Sequence, residues 1–210
     1  MTGLEEQAAL LKFIGSSLKK KTECLVIGGS AMMFYGIKNT TKDIDMVFSS
    51  EKERKDAALA LENAGFYKKY FKDKDIFLLE RNGMKIDMFL KKIFKFFLSN
   101  SMMERKKEVH EFGNLTAMIA SPEDIVLLKC ATDREGDRID AKNIIEKSDI
   151  NWGIILEEIK WQNRNSGKAL SMFLYDFLLD VKSLKTDIPD KIMKELRAIN
   201  KEEIEKLRKS

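Results

Sequence analysis

At Ser121-Pro122 the chain changes its periodicity, and nothing else in the sequence constrains the fold as much. Upstream, short β-rich runs alternate with glycine-containing turns; downstream, nearly every stretch repeats its apolar residues at helical spacing. Ile76–Arg81 and Met84–Phe89 flank Asn82-Gly83, a pair that accepts positive φ at both centres of a tight hairpin. Glu108–Phe112 and Leu115–Ile119 flank Gly113-Asn114 in the same manner. Glu23–Ile27 is short and apolar and ends on Gly28-Gly29, so it reads as a buried strand. In Asp43–Phe48, Asp43, Asp45 and Val47 face one way and Ile44, Met46 and Phe48 the other, as in a half-buried strand.

Helices are expected over residues 4–19, capped by Thr2 and Glu5, over Ser30–Tyr35 with Ser30 near its N-cap, and after Ser50, whose partner in a capping box is Glu53. Lys91–Leu98 reads as a short basic-aromatic helix. Ser121 caps the next helix, with Pro122 in its first position. The fold class is therefore α/β (α+β), a mixed twisted sheet of about five strands followed by a helical domain. The boundary falls near residue 120, dividing the chain into 1–120 and 121–210.

Composition narrows the setting. The chain has 210 residues, 44% of them hydrophobic and 34% charged, as in a globular protein. The apolar run Phe173–Leu179 is broken by Asp176 and is far too short to cross a bilayer. The start, Met1-Thr2-Gly3-Leu4-Glu5-Glu6, lacks the order of a signal peptide. Cys24 and Cys130 read as buried reduced thiols, and the expected location is the cytoplasm, with no membrane partner. One histidine and no cysteine pair at ligand spacing argue against zinc. The net charge of +4 permits contact with nucleic acid without requiring it.

Three elements bear on chemistry. Gly28-Gly29-Ser30 lies between a strand and a helix, where bare backbone can approach phosphate oxygens; strand-to-helix geometry alone accounts for such glycines about as well. Asp43-Ile44-Asp45 projects two carboxylates to one side of a strand, about 6–7 Å apart, where they repel unless solvated or bridged by cations. Asp87 is a lone acid on an apolar strand and joins the same cluster if that strand pairs with Asp43–Phe48; otherwise it is an edge acid facing water. Divalent cations held by such oxygens organise in-line phosphoryl displacement.

Taken together, Ile27-Gly28-Gly29-Ser30, twelve intervening residues, Asp43-Ile44-Asp45 and the later Asp87 resemble the DNA-polymerase-β-like nucleotidyltransferase superfamily. Gly29-Ser30-Ala31, Gly36 and Thr41-Lys42-Asp43-Ile44-Asp45, with Ser121-Pro122-Glu123-Asp124, Lys129, Arg134, Asp137 and Asp140 downstream, resemble its AbiEii-type toxin group over residues 22–150. The chain departs from that group in carrying Lys38 and Asn39 where relatives often have Arg before the Thr.

The resemblance implies transfer of a nucleoside monophosphate from an NTP to an acceptor hydroxyl, with residues 1–120 as the catalytic domain. It implies Mg²⁺ or Mn²⁺ on Asp43, Asp45 and Asp87, and NTP held by Gly28, Gly29, Ser30 and Lys129. It also implies Asp137 and Asp140 shaping the site, though as residues these two read better as cap and first-turn acids. Lys129 itself, taken as a residue, is either a snorkelling helix lysine or a functional one. An antitoxin partner would follow if the chain is a toxin. The basic-aromatic run Lys91, Lys92, Phe94, Lys95, Phe96 and Phe97 favours RNA, such as a tRNA end, as acceptor. Two rivals stand beside this reading: a non-catalytic nucleotide-binding or antitoxin-like protein, and a small-molecule adenylyltransferase acting on an aminoglycoside. His110 reads as structural or surface, Trp152, Trp161, Phe173, Leu174, Phe177 and Leu178 as core, and the end from Lys191 as a solvated helix.

Overall fold

The computed structural model describes residues 1–69 and 76–208. In chain order the elements are β1 (Thr2–Gly3), α1 (Leu4–Ser17), β2 (Thr22–Ile27), α2 (Gly28–Phe34), β3 (Thr40–Thr41), β4 (Asp43–Phe48), α3 (Glu51–Asn63), β5 (Tyr67–Lys69), β6 (Ile76–Arg81), β7 (Met84–Leu90), β8 (Lys92–Ile93), β9 (Phe96–Phe97), α4 (Asn100–Glu104), β10 (Glu108–Phe112), β11 (Leu115–Ile119), α5 (Pro122–Lys129), α6 (Glu135–Lys147), α7 (Trp152–Ser166), α8 (Leu170–Ser183) and α9 (Asp190–Leu207). They form two compact units, Met1–Ile93 with Leu98–Ser121, and Phe94–Phe97 with Pro122–Ser210.

The first unit is α/β and centres on a mixed sheet with strand order β10-β11-β2-β4-β7-β6-β5. Seven strands pair there, against the five or so expected; the three-residue β5 leaves no alternation to read. β4 lies in the middle, antiparallel to β2 and parallel to β7. The β6–β7 hairpin turns through Asn82 at φ 49° and Gly83 at φ 80°, and β10–β11 through Gly113 at φ 64°, as the turn residues require. The helix α1 packs on β10 and β11, and α3 on β4, β6 and β7. Ser50 Oγ accepts the Glu53 N–H at 3.4 Å and caps α3.

Two helix starts differ from expectation. The N-cap of α1 is Gly3, whose N–H donates to the Glu6 carboxylate at 2.9 Å, because Thr2 is drawn into pairing with Thr41. The buried stripe of α1 is accordingly Gln7, Leu10, Leu11 and Ile14, while Leu4 is exposed. The helix α2 begins at Gly28, so Ser30 lies inside its first turn and is not its cap.

Lys91–Leu98 is not a helix. Lys91 at φ 55° and Phe94 at φ 53° interrupt it, leaving the short strands β8 and β9. In the second unit, the Phe97 N–H and C=O are both taken by the side-chain amide of Gln162, at 2.9 and 2.7 Å. Those bonds explain why an aromatic-rich stretch with good helical periodicity is extended instead.

The second unit is otherwise a helical array around Ile125, Ile144, Ile155, Ile159, Leu174 and Leu178. Glu123 accepts the Asn151 N–H at 3.1 Å, tying α5 to the start of α7, and Asn163 bonds Ser171 at 2.9 Å, tying α7 to α8. Phe173, expected in the core, is about half exposed, with Lys95 Nζ 3.5 Å from its ring centroid. The final helix is not solvated all round: Ile192, Met193, Leu196 and Ile199 are buried along one stripe, a pattern diluted in sequence by the surrounding Lys and Glu.

Candidate active site

Register decides which acids share a face. In the parallel β4–β7 pair, Asp45 is the partner of Asp87 and Asp43 the partner of Lys85. Neighbouring strands lie about 4.8 Å apart, and residues two apart on one strand about 6–7 Å, so Asp43, Asp45 and Asp87 occupy three corners of one small patch. All three are half-buried. Further along the same face, Val47 and its partner Phe89 are buried, so the patch stands where the sheet passes from core to solvent. Lys85 completes the patch and is exposed. The spacing Lys85-Ile86-Asp87 already places that lysine on the acidic face, but only the strand pairing sets it beside Asp43.

On its other side, across the antiparallel pair with β2, Asp45 is the partner of Ile27, at the end of that strand. The chain leaves β2 there and turns straight into Gly28, which has φ +62°. A Cβ on Gly28 would stand 2.5 Å from Asp45 Oδ2. A Cβ on Gly29 would stand 2.6 Å from Thr41 Oγ1 and 3.7 Å from Lys38 Cδ. The turn is thus pressed against the acidic strand with no room for side chains, and the stem of Lys38 runs beside it.

Ser30 fastens the two together. Its hydroxyl donates to the Asp43 carbonyl at 3.1 Å and accepts the Asp45 N–H at 3.4 Å. The Thr41 hydroxyl donates to the same Asp43 carbonyl at 3.1 Å. The role of Ser30 is to hold the backbone of β4, a use that its position after two glycines does not reveal. Gly28→Ala should disturb this junction twice, through positive φ and through the Asp45 contact. We expect a folded protein with turnover lowered on the order of 10²-fold, the scale for a displacement of about 1 Å at a reacting centre. Parent-like kinetics in Gly28→Ala would mean that the turn is not part of the site.

Mg²⁺ suits three carboxylates, which are hard oxygen donors. Among the described residues no three His, Cys, Asp or Glu are gathered into a ready-made metal site. Like charges on neighbouring strands repel. Asp43, Asp45 and Asp87 are donors of the type a divalent cation takes, on one face of the sheet, without being gathered around a common point.

Lys129 belongs to the second unit, at the end of α5, and is 8% exposed. Its ammonium donates to Asp137 Oδ1 at 2.7 Å and to Asp140 Oδ2 at 2.6 Å. Two of its three N–H groups are thereby used. Burial works against the charged ammonium, but Asp140 and Asp137 outweigh it and its pKa lies above the usual lysine value. Burial likewise opposes ionisation of Asp137, and Lys129, Thr132 and Arg134 overcome it, holding the carboxyl below the usual aspartate range. Arg134 Nε donates to Asp137 at 2.9 Å, and the Thr132 hydroxyl bonds the same carboxylate. The motif acids thus form an ion cluster on α6: Asp137 in its first turn and Asp140 beyond it.

His110 is half-buried, with Nε2 3.0 Å from a Glu108 carboxylate oxygen and its ring 4.7 Å from that of Phe34. Cys24 and Cys130 are free and buried, and burial pushes both thiols well above their usual range. No described helix is long and apolar enough to cross a membrane.

A mixed sheet presenting two acids on β4 and a third on β7, under a glycine turn, defines the class of protein to which the comparisons can be set. The chain belongs to the family described as nucleotidyltransferase of unknown function (DUF6036), which matches residues 2–184. That match is to the nucleotidyltransferase grouping and does not single out the AbiEii-type subgroup. Among curated proteins, none matches. Among solved structures, the chain is similar to the antibiotic-resistance factor ANT(2'')-Ia, determined in solution, at 14% identity and a TM-score of 0.41, with 86% of this chain and 96% of that chain covered.

Proposed function

We propose that the protein is a metal-dependent nucleotidyltransferase that moves a nucleoside monophosphate from an NTP to an acceptor hydroxyl. The observation that carries this reading is the pairing of Asp45 with Asp87 on adjacent parallel strands, with Asp43 two residues before and Gly28 against the Asp45 carboxylate. Membership of a nucleotidyltransferase family supports it.

In this reading Asp43, Asp45 and Asp87 would hold Mg²⁺ or Mn²⁺, with Asp87 on the side of the acceptor hydroxyl. The acceptor oxygen attacks the α-phosphorus, the bond to pyrophosphate breaks, and the hydroxyl proton passes to Asp87 or to water beside it. A bound divalent cation would align the attacking and leaving oxygens and spread the developing charge. The Gly28–Ser30 turn offers bare backbone to the phosphates, and Lys38 offers a cation beside it. Lys129 spends two of its three N–H groups on Asp137 and Asp140, so we assign it to maintaining the second unit first and, on the motif resemblance alone, to nucleotide contact second.

RNA is the proposed acceptor class, supported by Lys85 on the acidic face and by Lys91 and Lys92 following the strand that carries Asp87. A toxin role with a protein antitoxin rests only on the motif resemblance. The test is incubation with each labelled NTP and Mg²⁺ together with total RNA, total protein and an aminoglycoside. Label in RNA is expected. Label in an aminoglycoside or a protein alone would overturn the acceptor, and no transfer to any fraction would overturn the reaction. Binding has its own readout. An NTP with Mg²⁺ at about 100 times its Kd should stabilise the fold by about 2.7 kcal/mol, a rise of about 5–10 °C in Tm for a chain of this size. No shift with any of the four NTPs would count against nucleotide binding altogether.

A further inference from the structure

We propose that Gln7, on α1 and outside every motif of the site, is a positioning residue that holds the Gly28–Ser30 turn against the acidic strand. Gln7 is fully buried and sits in the stripe Gln7, Leu10, Leu11, Ile14, where helical periodicity calls for an apolar side chain. Its Nε2 donates to the Ser30 carbonyl at 3.3 Å. Its Oε1 has no hydrogen-bond partner among the described residues. A buried amide used at one end only is a net cost that leucine or methionine would avoid. What the amide gains is a hold on one residue, Ser30, whose hydroxyl bonds both the Asp43 carbonyl and the Asp45 N–H.

The line Gln7–Ser30–Asp43/Asp45 thus runs from the helix surface facing the core to the two carboxylate-bearing residues of β4. A second tie reinforces it: β1, immediately before α1, pairs Thr2 with Thr41 and Gly3 with Thr40, just upstream of Asp43. The start of α1 is anchored on both sides of the turn. Gln7 touches neither nucleotide nor acceptor; it sets how the glycine turn lies on Asp45. This role rests on the nucleotidyl-transfer reading for its function and on geometry alone for its placement.

The variants are Gln7→Met, which removes both polar atoms at similar length, and Gln7→Leu, which removes them in a shorter side chain. Each is measured as the full chain, with amide hydrogen exchange at Asp45 and with titration of Mg·ATP, Mg·GTP, Mg·CTP and Mg·UTP. In the folded Gln7→Met protein, Asp45 exchange should quicken and affinity for the best nucleotide weaken, each about three- to tenfold, as expected for one buried hydrogen bond. Adding Ser30→Ala should then cost less than the product of the two single effects, because both act through one residue. Unchanged Asp45 exchange and unchanged affinity, even with a lowered Tm, would overturn the proposal and leave Gln7 a packing residue. If Gln7→Met does not fold, Gln7→Leu decides by the same criteria. If the parent binds none of the four nucleotides, the transfer reading falls, while exchange at Asp45 still decides whether Gln7 holds the turn.

Discussion

Asp45→Asn should reduce nucleotidyl transfer about 10³-fold or more while leaving the fold intact. The substitution keeps the side-chain volume and removes a charge that holds the cation, a loss of several kcal/mol of transition-state stabilisation. Stability should move the other way. Asp45 and Asp87 are direct partners on neighbouring strands, and like charges so placed destabilise a pair by about 0.2–1 kcal/mol. In metal-free buffer, Asp45→Asn should therefore melt at or slightly above the parent temperature. Incorporation of labelled NTP and thermal unfolding without metal check the two halves separately. Full turnover by purified Asp45→Asn and Asp43→Asn would place the chemistry elsewhere.

Lys129→Met carries the largest expected loss of stability. It leaves the Asp137 and Asp140 carboxylates without the ammonium that both bond. Stranding a buried charge costs about 3–5 kcal/mol, or about 6–20 °C in Tm for a chain of this length. The retained bonds from Thr132 and Arg134 to Asp137 place the expected value toward the lower end.

The pH dependence has a defined sign. Asp137 has a lowered folded pKa, so its contribution is present above the ordinary aspartate value and is lost as pH falls through the lowered one. Lys129 has a raised folded pKa, so its contribution is complete below the ordinary lysine value and is lost as pH rises through the raised one. The parent should keep the cluster's stability across the neutral range. In Lys129→Met the two carboxylates lose the ammonium that both bond, so the gap to the parent should be widest near neutrality and should narrow toward about pH 4. Identical melting of parent and variant would show that the cluster contributes nothing. Titrating NTP into the folded variant in the cold separates this role from phosphate contact, which would appear as a raised apparent Kd.

Wherever bonds are local, the structure follows patterns already present in the sequence. Asn82-Gly83 and Gly113-Asn114 make their hairpins because positive φ comes readily to Asn82, Gly83 and Gly113. Asp43–Phe48 is a strand from its first residue to its last, since alternation is a two-residue signal. Ser50 caps α3 and Pro122 opens α5 for similarly local reasons. The acids Asp43, Asp45 and Asp87 could be singled out because carboxylates amid apolar strand residues are conspicuous by type and spacing.

Other features depended on partners distant in the chain. Lys91–Leu98 has helical periodicity, yet the Gln162 amide claims the backbone of Phe97 from 65 residues away. Thr2 is drawn out of a cap by Thr41. Gln7 looks like any surface glutamine until α1 is rotated to bury it against Ser30. The sequence by itself determined most of the element types, the hairpin turns and the identity of the acidic residues, because those follow from φ preference, periodicity and charge within a few positions. Only the tertiary structure decided that Asp45 faces Asp87, that Lys85 stands beside Asp43, and that Lys129 is gripped by Asp137 and Asp140. Strand register and helix rotation are set by burial summed over the whole unit, and no short stretch of sequence contains that sum.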